Sequence, residues 1–246
     1  MNEDLLDPPV MTRASRKALA RRQRKDEKTS RRPVERRVPL APRNERQGEY
    51  LQALHDCDQV FGVGPAGTGK TYLAARWAIR QVLDRRKECV VICRPTAAKP
   101  KHRLGFRPGN QDEKVADWLV PIMDGFKDEC GAATIAKMKI AGQIEFAAFE
   151  TMRGRTFRNA VVILDEAQNC DMGDLRLFLT RIGEGSQVIV DGDLDQIDID
   201  DPGLERVLDM VEEFDLDADV IEFEPEDVVR SAIARGWVGA FARSRR

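Results

Sequence analysis

Short apolar runs alternate with longer amphipathic stretches along this chain. Almost continuous apolar runs, the pattern of parallel strands buried on both faces, lie at 59–63, 88–94 and 160–164. Further strands are predicted at 143–149, 186–191 and 219–223, and helices at 71–83, 113–126, 129–139, 171–182, 203–215 and 227–241. This alternation predicts an α/β fold, a doubly wound, mostly parallel sheet with right-handed crossovers and helices on both faces.

The composition fits one globular domain. At 246 residues with 42% apolar content, the chain can bury one substantial core. No apolar stretch has the length of a bilayer span, and the N-terminus is charged where a secretion signal is apolar, so we expect a cytoplasmic protein with no membrane partner. The five cysteines form no C-x-x-C pair and only two histidines are present, which argues against a zinc site.

Charge divides the chain into segments. Residues 1–43 are predicted to form a disordered basic arm, because residues 1–46 carry seven more basic than acidic residues and few large apolar ones. Residues 44–241 form the predicted domain, and 242–246 form a short basic tail. Within the domain, 191–227 carries sixteen more acidic than basic residues. The arm could hold nucleic acid by phosphate charge, dock on this acidic segment, or only improve solubility.

The strand at 59–63 runs directly into a complete phosphate-binding loop, G-x-x-x-x-G-K-[ST], which we call the P-loop (64–71). Its three glycines permit backbone angles that let amide groups approach phosphate oxygens. Lys70 then reaches the β- and γ-phosphates, and the Thr71 hydroxyl can ligate Mg²⁺. The alternative is a glycine-rich turn without a ligand. We therefore predict a RecA-like P-loop NTPase that binds ATP through Gly64, Pro65, Ala66, Gly67, Thr68, Gly69, Lys70, Thr71 and Tyr72.

Two adjacent carboxylates follow the apolar run at 160–164, as nucleotide hydrolases of this fold require. Asp165 suits the magnesium site, and Glu166 suits the base that orients or deprotonates the attacking water. The alternative is that both only cap the next helix. After the strand at 186–191, Gln196 could sense the γ-phosphate, although its acidic neighbours also fit a hydrated loop.

Basic residues cluster after the second and third predicted strands. The irregular segment 96–111 follows Arg94, at the strand end where open α/β sheets place their ligands. A second turn, at 152–157, presents two arginines around a glycine. An ordinary solvated loop explains any one of these residues equally well. The candidate polynucleotide contacts are Arg94, Lys99, Lys101, Arg103, Arg107, Arg153 and Arg155.

Five ordered segments together resemble the PhoH-like (phosphate-starvation-inducible) ATPases: GPAGTGKTYLA at 64–74, MRGRTF at 152–157, DEAQN at 165–169, FLTRIG at 178–183 and GDLDQID at 192–198. The resemblance implies an ATPase related to superfamily 1 helicases, a ring-shaped homo-hexamer and, in some members, RNA unwinding. It also implies that Gln47 and Tyr50 contact adenine. Arg181 and Arg230 match basic positions near the γ-phosphate, and either could be an arginine finger, including one from a neighbouring subunit. Ser231 departs from the family, which usually has histidine there.

The leading hypothesis from these observations is an ATP-hydrolysing motor on single-stranded nucleic acid, RNA before DNA. Its catalytic set comprises Lys70, Asp165, Glu166, Gln196, Arg181 and Arg230. A nucleotide-gated scaffold with slow hydrolysis is one alternative. A small-molecule phosphotransferase is another, disfavoured because Glu166 is placed for water.

Overall fold

The computed structural model describes residues 38–95 and 120–244, and this part of the chain contains six strands in one sheet. The strands are β1 (Gln59–Val63), β2 (Cys89–Cys93), β3 (Ile144–Ala147), β4 (Ala160–Leu164), β5 (Gln187–Gly192) and β6 (Asp219–Glu222). The helices are α1 (Glu45–Asp56), α2 (Lys70–Leu83), α3 (Val120–Ile140), α4 (Phe149–Met152), α5 (Met172–Leu179), α6 (Leu204–Glu213) and α7 (Ala232–Ser244), with 3₁₀ turns at Ala167–Asn169 and Pro225–Asp227.

Every strand pairing in this sheet is parallel, and the strand order is β3-β2-β4-β5-β1-β6. The predicted parallel α/β sheet is therefore confirmed. β5 lies between β4 and β1, with Leu164 opposite Val190 and Val63 opposite Gly192. Because these three strands end at the same edge, the residues that follow them gather there, where open α/β sheets bind their ligands.

Successive strand residues pack against opposite helix layers. Val60 and Ile92 face the layer formed by α1, α2 and α3. Phe61 and Val91, their neighbours in the chain, face the layer formed by α4, α5 and α6. Both faces of the sheet are covered, which explains why its central strands are apolar at nearly every position.

A buried ion pair fixes α3 onto α2. The Glu129 side chain is fully buried and lies 2.9 Å from the Arg76 guanidinium and 2.7 Å from that of Arg80. Helix α3 is interrupted at Gly131, whose φ of 73° and ψ of 155° are not helical. The prediction of two helices with a break at 127–128 was therefore wrong by a few residues, and the start of the helix predicted from 113 lies outside the described residues.

Other differences from the sequence prediction lie near the ends of the domain. Helix α1, capped by the Asn44 side chain, was not predicted. The helix expected to start at 227 starts at Ala232, after the 3₁₀ turn. Nearly all of the predicted basic arm (1–43) precedes the described residues. Among the described helices, none combines the length and apolarity that a membrane span needs.

Candidate nucleotide-binding site

The P-loop joins β1 to α2 at the convergent edge of the sheet. Gly64, Gly67 and Gly69 have φ angles of 129°, 91° and 91°, which L side chains rarely adopt. A Cβ on Gly64 would lie 2.2 Å from the Phe223 carbonyl oxygen, and one on Gly67 would lie 2.5 Å from Arg230 Nε. The loop therefore fits closely against the segment that follows β6, and a side chain at Gly64 would collide with its backbone.

Lys70 turns its ammonium group toward the P-loop itself. Its Nζ donates to the carbonyl oxygens of Gly64 and Pro65 at 2.6 and 3.0 Å and to Thr68 Oγ1 at 3.2 Å. Burial lowers the pKa of Lys70, and the carboxylates around the site oppose that effect. The three donor positions of the ammonium are thus used by the loop, so phosphate oxygens would compete for them.

Asp165 begins the acid pair, Asp165 and Glu166, that follows β4. Its Oδ1 accepts a hydrogen bond from Thr71 Oγ1 at 2.9 Å, and its Oδ2 lies 3.3 Å from Arg94 Nη1. Burial raises the pKa of Asp165, and the charge of Arg94 partly offsets this. The carboxylate is therefore held between a hydroxyl of α2 and a guanidinium at the end of β2.

Glu166 has a left-handed backbone, with φ 57° and ψ 40°. Such a conformation in a residue other than glycine costs of the order of 1–3 kcal/mol and is concentrated at functional sites. Its Oε2 accepts from Gln168 Nε2 at 2.7 Å, while its Oε1 lies 3.0 Å from Arg94 Nη2. The side chain is thus oriented from two sides and remains 37% exposed.

Gln168 connects Glu166 to the loop after β5 (193–196). Gln168 is fully buried, and its Oε1 accepts from the Asp193 amide at 3.0 Å. The Asp193 carboxylate oxygen Oδ2 in turn accepts from the Ala66 amide at 3.0 Å and from Gln196 Nε2 at 2.6 Å. A continuous series of hydrogen bonds therefore links the P-loop to Glu166. Gln168 and Asp193 were not predicted as site residues, although both lie in the DEAQN and GDLDQID segments that carry the family resemblance.

These elements surround an open cavity of about 290 Å³ at the carboxyl edge of β1, β4 and β5. Most of the predicted ATP-binding and catalytic residues line it. The lining residues are Ala66, Gly67, Thr68, Gly69, Lys70, Thr71, Tyr72, Pro121, Asp165, Glu166, Gln168, Asp191, Gly192, Asp193, Gln196 and Arg230.

A buried acid lies at the back of this cavity. Asp191 Oδ1 accepts from the Tyr50 hydroxyl at 2.7 Å, and both residues are at most 1% exposed. Within the described residues, Asp191 Oδ2 has no hydrogen-bond partner. Burial raises the pKa of Asp191 to about 7 and raises that of Tyr50 well above its ordinary value. Because Tyr50 is enclosed in the core against Phe223, the structure does not support its predicted contact with adenine.

Two residues implied by the family resemblance do lie at the P-loop. Gln47 is buried, and its Nε2 donates to the Thr68 carbonyl at 2.7 Å. Arg230 lines the cavity and lies over Gly67 of its own chain. The preceding Val229 amide donates to the Gly67 carbonyl at 3.0 Å, which anchors this segment on the P-loop.

Of the other candidate arginines within the described residues, none lines the cavity. Arg181 lies between α5 and β5, near the amino ends of β4 and β5 and so away from the P-loop. Its carbonyl oxygen accepts a hydrogen bond from the Phe157 amide at 2.8 Å. Arg155 forms a bidentate salt bridge with Glu145 of β3, and Arg153 is exposed. Arg94, predicted as a nucleic-acid contact, lies against the acid pair. The basic candidates Lys99, Lys101, Arg103 and Arg107 lie outside the described residues.

The chemistry of Thr71 and Asp165 fits the predicted Mg²⁺. Their side-chain oxygens lie 2.9 Å apart, and Mg²⁺ commonly takes one or two protein oxygens and completes its shell with water and phosphate. Elsewhere, over the described ranges, no group of three or more His, Cys, Asp or Glu residues is arranged to hold a metal ion.

Comparison with known proteins decides the family. The sequence model of a family described as "PhoH-like protein" matches residues 39–242. The chain belongs to the PhoH-like family. The PhoH-like protein of Mycobacterium tuberculosis (strain ATCC 25618 / H37Rv) is 40% identical over 207 residues, which are 83% of this chain and 58% of that protein. Protein PhoH of Escherichia coli (strain K12) is 37% identical over 208 residues, with the same coverage. The chain thus spans less than two thirds of these PhoH relatives.

A solved structure shares the fold of this PhoH-like chain. The large terminase from a thermophilic bacteriophage superposes with a TM-score of 0.50 and 12% identity, over 78% of this chain and 48% of that one. At this identity the likeness concerns the fold alone, that of a RecA-like P-loop NTPase. The family and the fold together support a nucleotide-binding NTPase.

Proposed function

We propose that this PhoH-like chain hydrolyses ATP with Mg²⁺ and couples hydrolysis to RNA or single-stranded DNA, as a ring-shaped oligomer. The observation that carries the hydrolytic part is the position of Glu166. Its carboxylate lies beside the P-loop cavity, oriented by Gln168 and adjacent to Asp165. A carboxylate held in this way can accept a proton from water in line with a terminal phosphate.

The other side chains of the cavity suit the binding of a triphosphate. The P-loop amides and Lys70 would hold the β- and γ-phosphates. Thr71 and Asp165 would hold Mg²⁺, which when bound neutralises phosphate charge. Arg230, which lies over Gly67 of the same chain, is available to the terminal phosphate. Buried side chains around these groups limit water to the open side of the cavity.

The hydrogen-bonded series through Asp193 and Gln168 supports coupling to a polymer. Gln196 is exposed at the rim of the cavity and is joined to Glu166 by this series. A polynucleotide that displaces Gln196 would therefore alter the environment of the base. The exposed Arg153 and the basic arm (1–43) supply candidate phosphate contacts. Arg181 lies at the amino ends of β4 and β5, away from the P-loop, so a role at a γ-phosphate would require a neighbouring subunit, as in a ring.

A nucleotide-gated scaffold that hydrolyses slowly is the second candidate, because it would use the same P-loop and acid pair. A phosphotransferase is less well supported, because a carboxylate beside the P-loop at the position of Glu166 suits the activation of water.

The test is the steady-state ATPase rate of the full chain with and without RNA or single-stranded DNA. We expect nucleic acid to raise the wild-type rate. Glu166→Gln keeps the shape of the side chain but removes the base, so it should retain ATP affinity and lose about 10²–10⁴-fold in rate. Glu205→Gln, an exposed change on α6, is the matched control.

Two results would contradict the proposal. Near-normal turnover by Glu166→Gln would remove Glu166 from the mechanism. If neither polymer raised the wild-type rate and Lys70→Ala left polynucleotide binding unchanged, the scaffold would become the better hypothesis.

A further inference from the structure

One guanidinium bridges both members of the acid pair. Arg94 Nη1 lies 3.3 Å from Asp165 Oδ2, and Arg94 Nη2 lies 3.0 Å from Glu166 Oε1. The sheet dictates this placement, because Cys93 pairs with Leu164 and the Asp165 amide donates to the Cys93 carbonyl at 3.0 Å. The residue after β2 must therefore lie beside the residue after β4. The Arg94 side chain is 27% exposed.

Two other groups that would bind a triphosphate also form hydrogen bonds within the protein. Lys70 donates to P-loop oxygens, and the Ala66 amide donates to the Asp193 carboxylate. The Lys70 ammonium is therefore directed at the loop, whereas the Arg94 guanidinium is directed at the acid pair. Two carboxylates side by side repel each other, and Arg94 relieves that repulsion.

Arg94 and a divalent cation would compete for the same carboxylate oxygens of the acid pair. Asp165 has one oxygen bonded to Thr71 and the other to Arg94, so a metal ion at Thr71 and Asp165 would bring two positive centres together. Like charges held this close repel each other, so the guanidinium and the metal ion compete for the Asp165 carboxylate. A triphosphate entering with the metal offers the guanidinium oxygens that match its planar donors.

We propose that Arg94 is an exchangeable counter-ion, which neutralises the acid pair before nucleotide binds and contacts the terminal phosphate of Mg-ATP afterwards. The inference rests on the proposed function for its second half. It makes Arg94 a residue of the ATP site rather than a nucleic-acid contact. A merely structural salt bridge would stay on the carboxylates and would not distinguish ATP from ADP.

The first experiment tests the counter-ion without nucleotide. Mn²⁺ binding to the full chain is titrated by electron paramagnetic resonance for wild type, Arg94→Gln, Arg94→Lys and the exposed control Arg206→Gln. Removing the competing charge should tighten Mn²⁺ binding about tenfold in Arg94→Gln. Arg94→Lys and the control should resemble wild type. Equal Mn²⁺ affinities for wild type and Arg94→Gln, with both folded by circular dichroism, would overturn the counter-ion role.

The second experiment tests the exchange. Dissociation constants for ATP and ADP, each with Mg²⁺, are measured calorimetrically for the same four proteins. Arg94→Gln and Arg94→Lys should lose about tenfold of the preference for ATP over ADP, because only ATP presents the terminal phosphate to the paired donors. An unchanged ratio would overturn the exchange. If wild type bound neither nucleotide, the proposed function and the exchange would both fail, while the Mn²⁺ titration would still decide the counter-ion role.

Discussion

Replacing Asp191 by Asn should change how the stability of the protein depends on pH. Asp191 is 1% exposed, its Oδ1 accepts from Tyr50, and among the described residues its Oδ2 has no hydrogen-bond partner. Burial raises the pKa of this carboxyl from 3.8 to about 7. Asparagine keeps the acceptor for Tyr50 and the shape of the side chain but cannot ionise.

The sign and size of the effect follow from proton linkage. Below about pH 4 the carboxyl is protonated in both folded and unfolded chains, so it contributes no pH dependence. As the pH rises from about 4 to 7, the unfolded carboxyl ionises and the folded one resists, so the folded state loses stability. A gap of about three pH units sets a ceiling of roughly 4 kcal/mol on this loss, with no further change well above pH 7.

The assay is urea unfolding of wild type, Asp191→Asn and the exposed control Asp201→Asn at pH 5 and pH 8. The free energy of unfolding of Asp191→Asn, relative to wild type, should rise by about 2–4 kcal/mol between the two pH values. The control should show no such change. If the difference between Asp191→Asn and wild type were the same at both pH values, the folded carboxylate would be ionised throughout and the argument from burial would be refuted.

Two further substitutions test the framework around the site. Glu129→Ala should lower the free energy of unfolding by about 3–5 kcal/mol, because it removes the carboxylate that pairs with the buried Arg76. The control Glu213→Ala, at an exposed position, should change it little. Equal effects of the two substitutions in urea unfolding would contradict this. Gly64→Ala should abolish ATP binding in calorimetry while the circular dichroism of the fold persists, because its Cβ would lie 2.2 Å from the Phe223 carbonyl oxygen. Gly236→Ala, with no atom within 4 Å of the added Cβ, is its control, and ATP binding by Gly64→Ala would refute the geometric argument.

The sequence predicted the sheet well because its central strands are buried on both faces and therefore read as continuous apolar runs. Elements with weaker signals were missed or misplaced. Helix α1 buries Gln47 beside Tyr50, Ala53 and Leu54, so its inward stripe is short and partly polar. In α3 the helix continues through 127–128 to Glu129, which pairs with Arg76 of α2, and it breaks at Gly131, whose positive φ suits glycine.

The P-loop and the acid pair were identifiable because each is contiguous in sequence at the end of a strand. Contacts that depend on strand order were not. Arg94 reaches Asp165 only because β2 pairs with β4, and Gln168 reaches Asp193 only because β5 is the next strand. Tyr50 was assigned to adenine from the family resemblance, which identifies a position but not the direction of its side chain.

The hydrogen bond between Asp193 and the Ala66 amide has a thermodynamic consequence for the whole site. A phosphate that takes this amide must displace the carboxylate, and the carboxylate also holds Gln196. ATP binding is then linked to the arrangement of the loop after β5 and, through Gln168, to the position of Glu166. Linkage is reciprocal. A ligand that draws Gln196 away from Asp193 would therefore change the affinity for ATP, and ATP would change the affinity for that ligand by the same factor. A nucleic acid acting at this loop would therefore affect nucleotide binding and the position of Glu166, the proposed base, through one set of contacts.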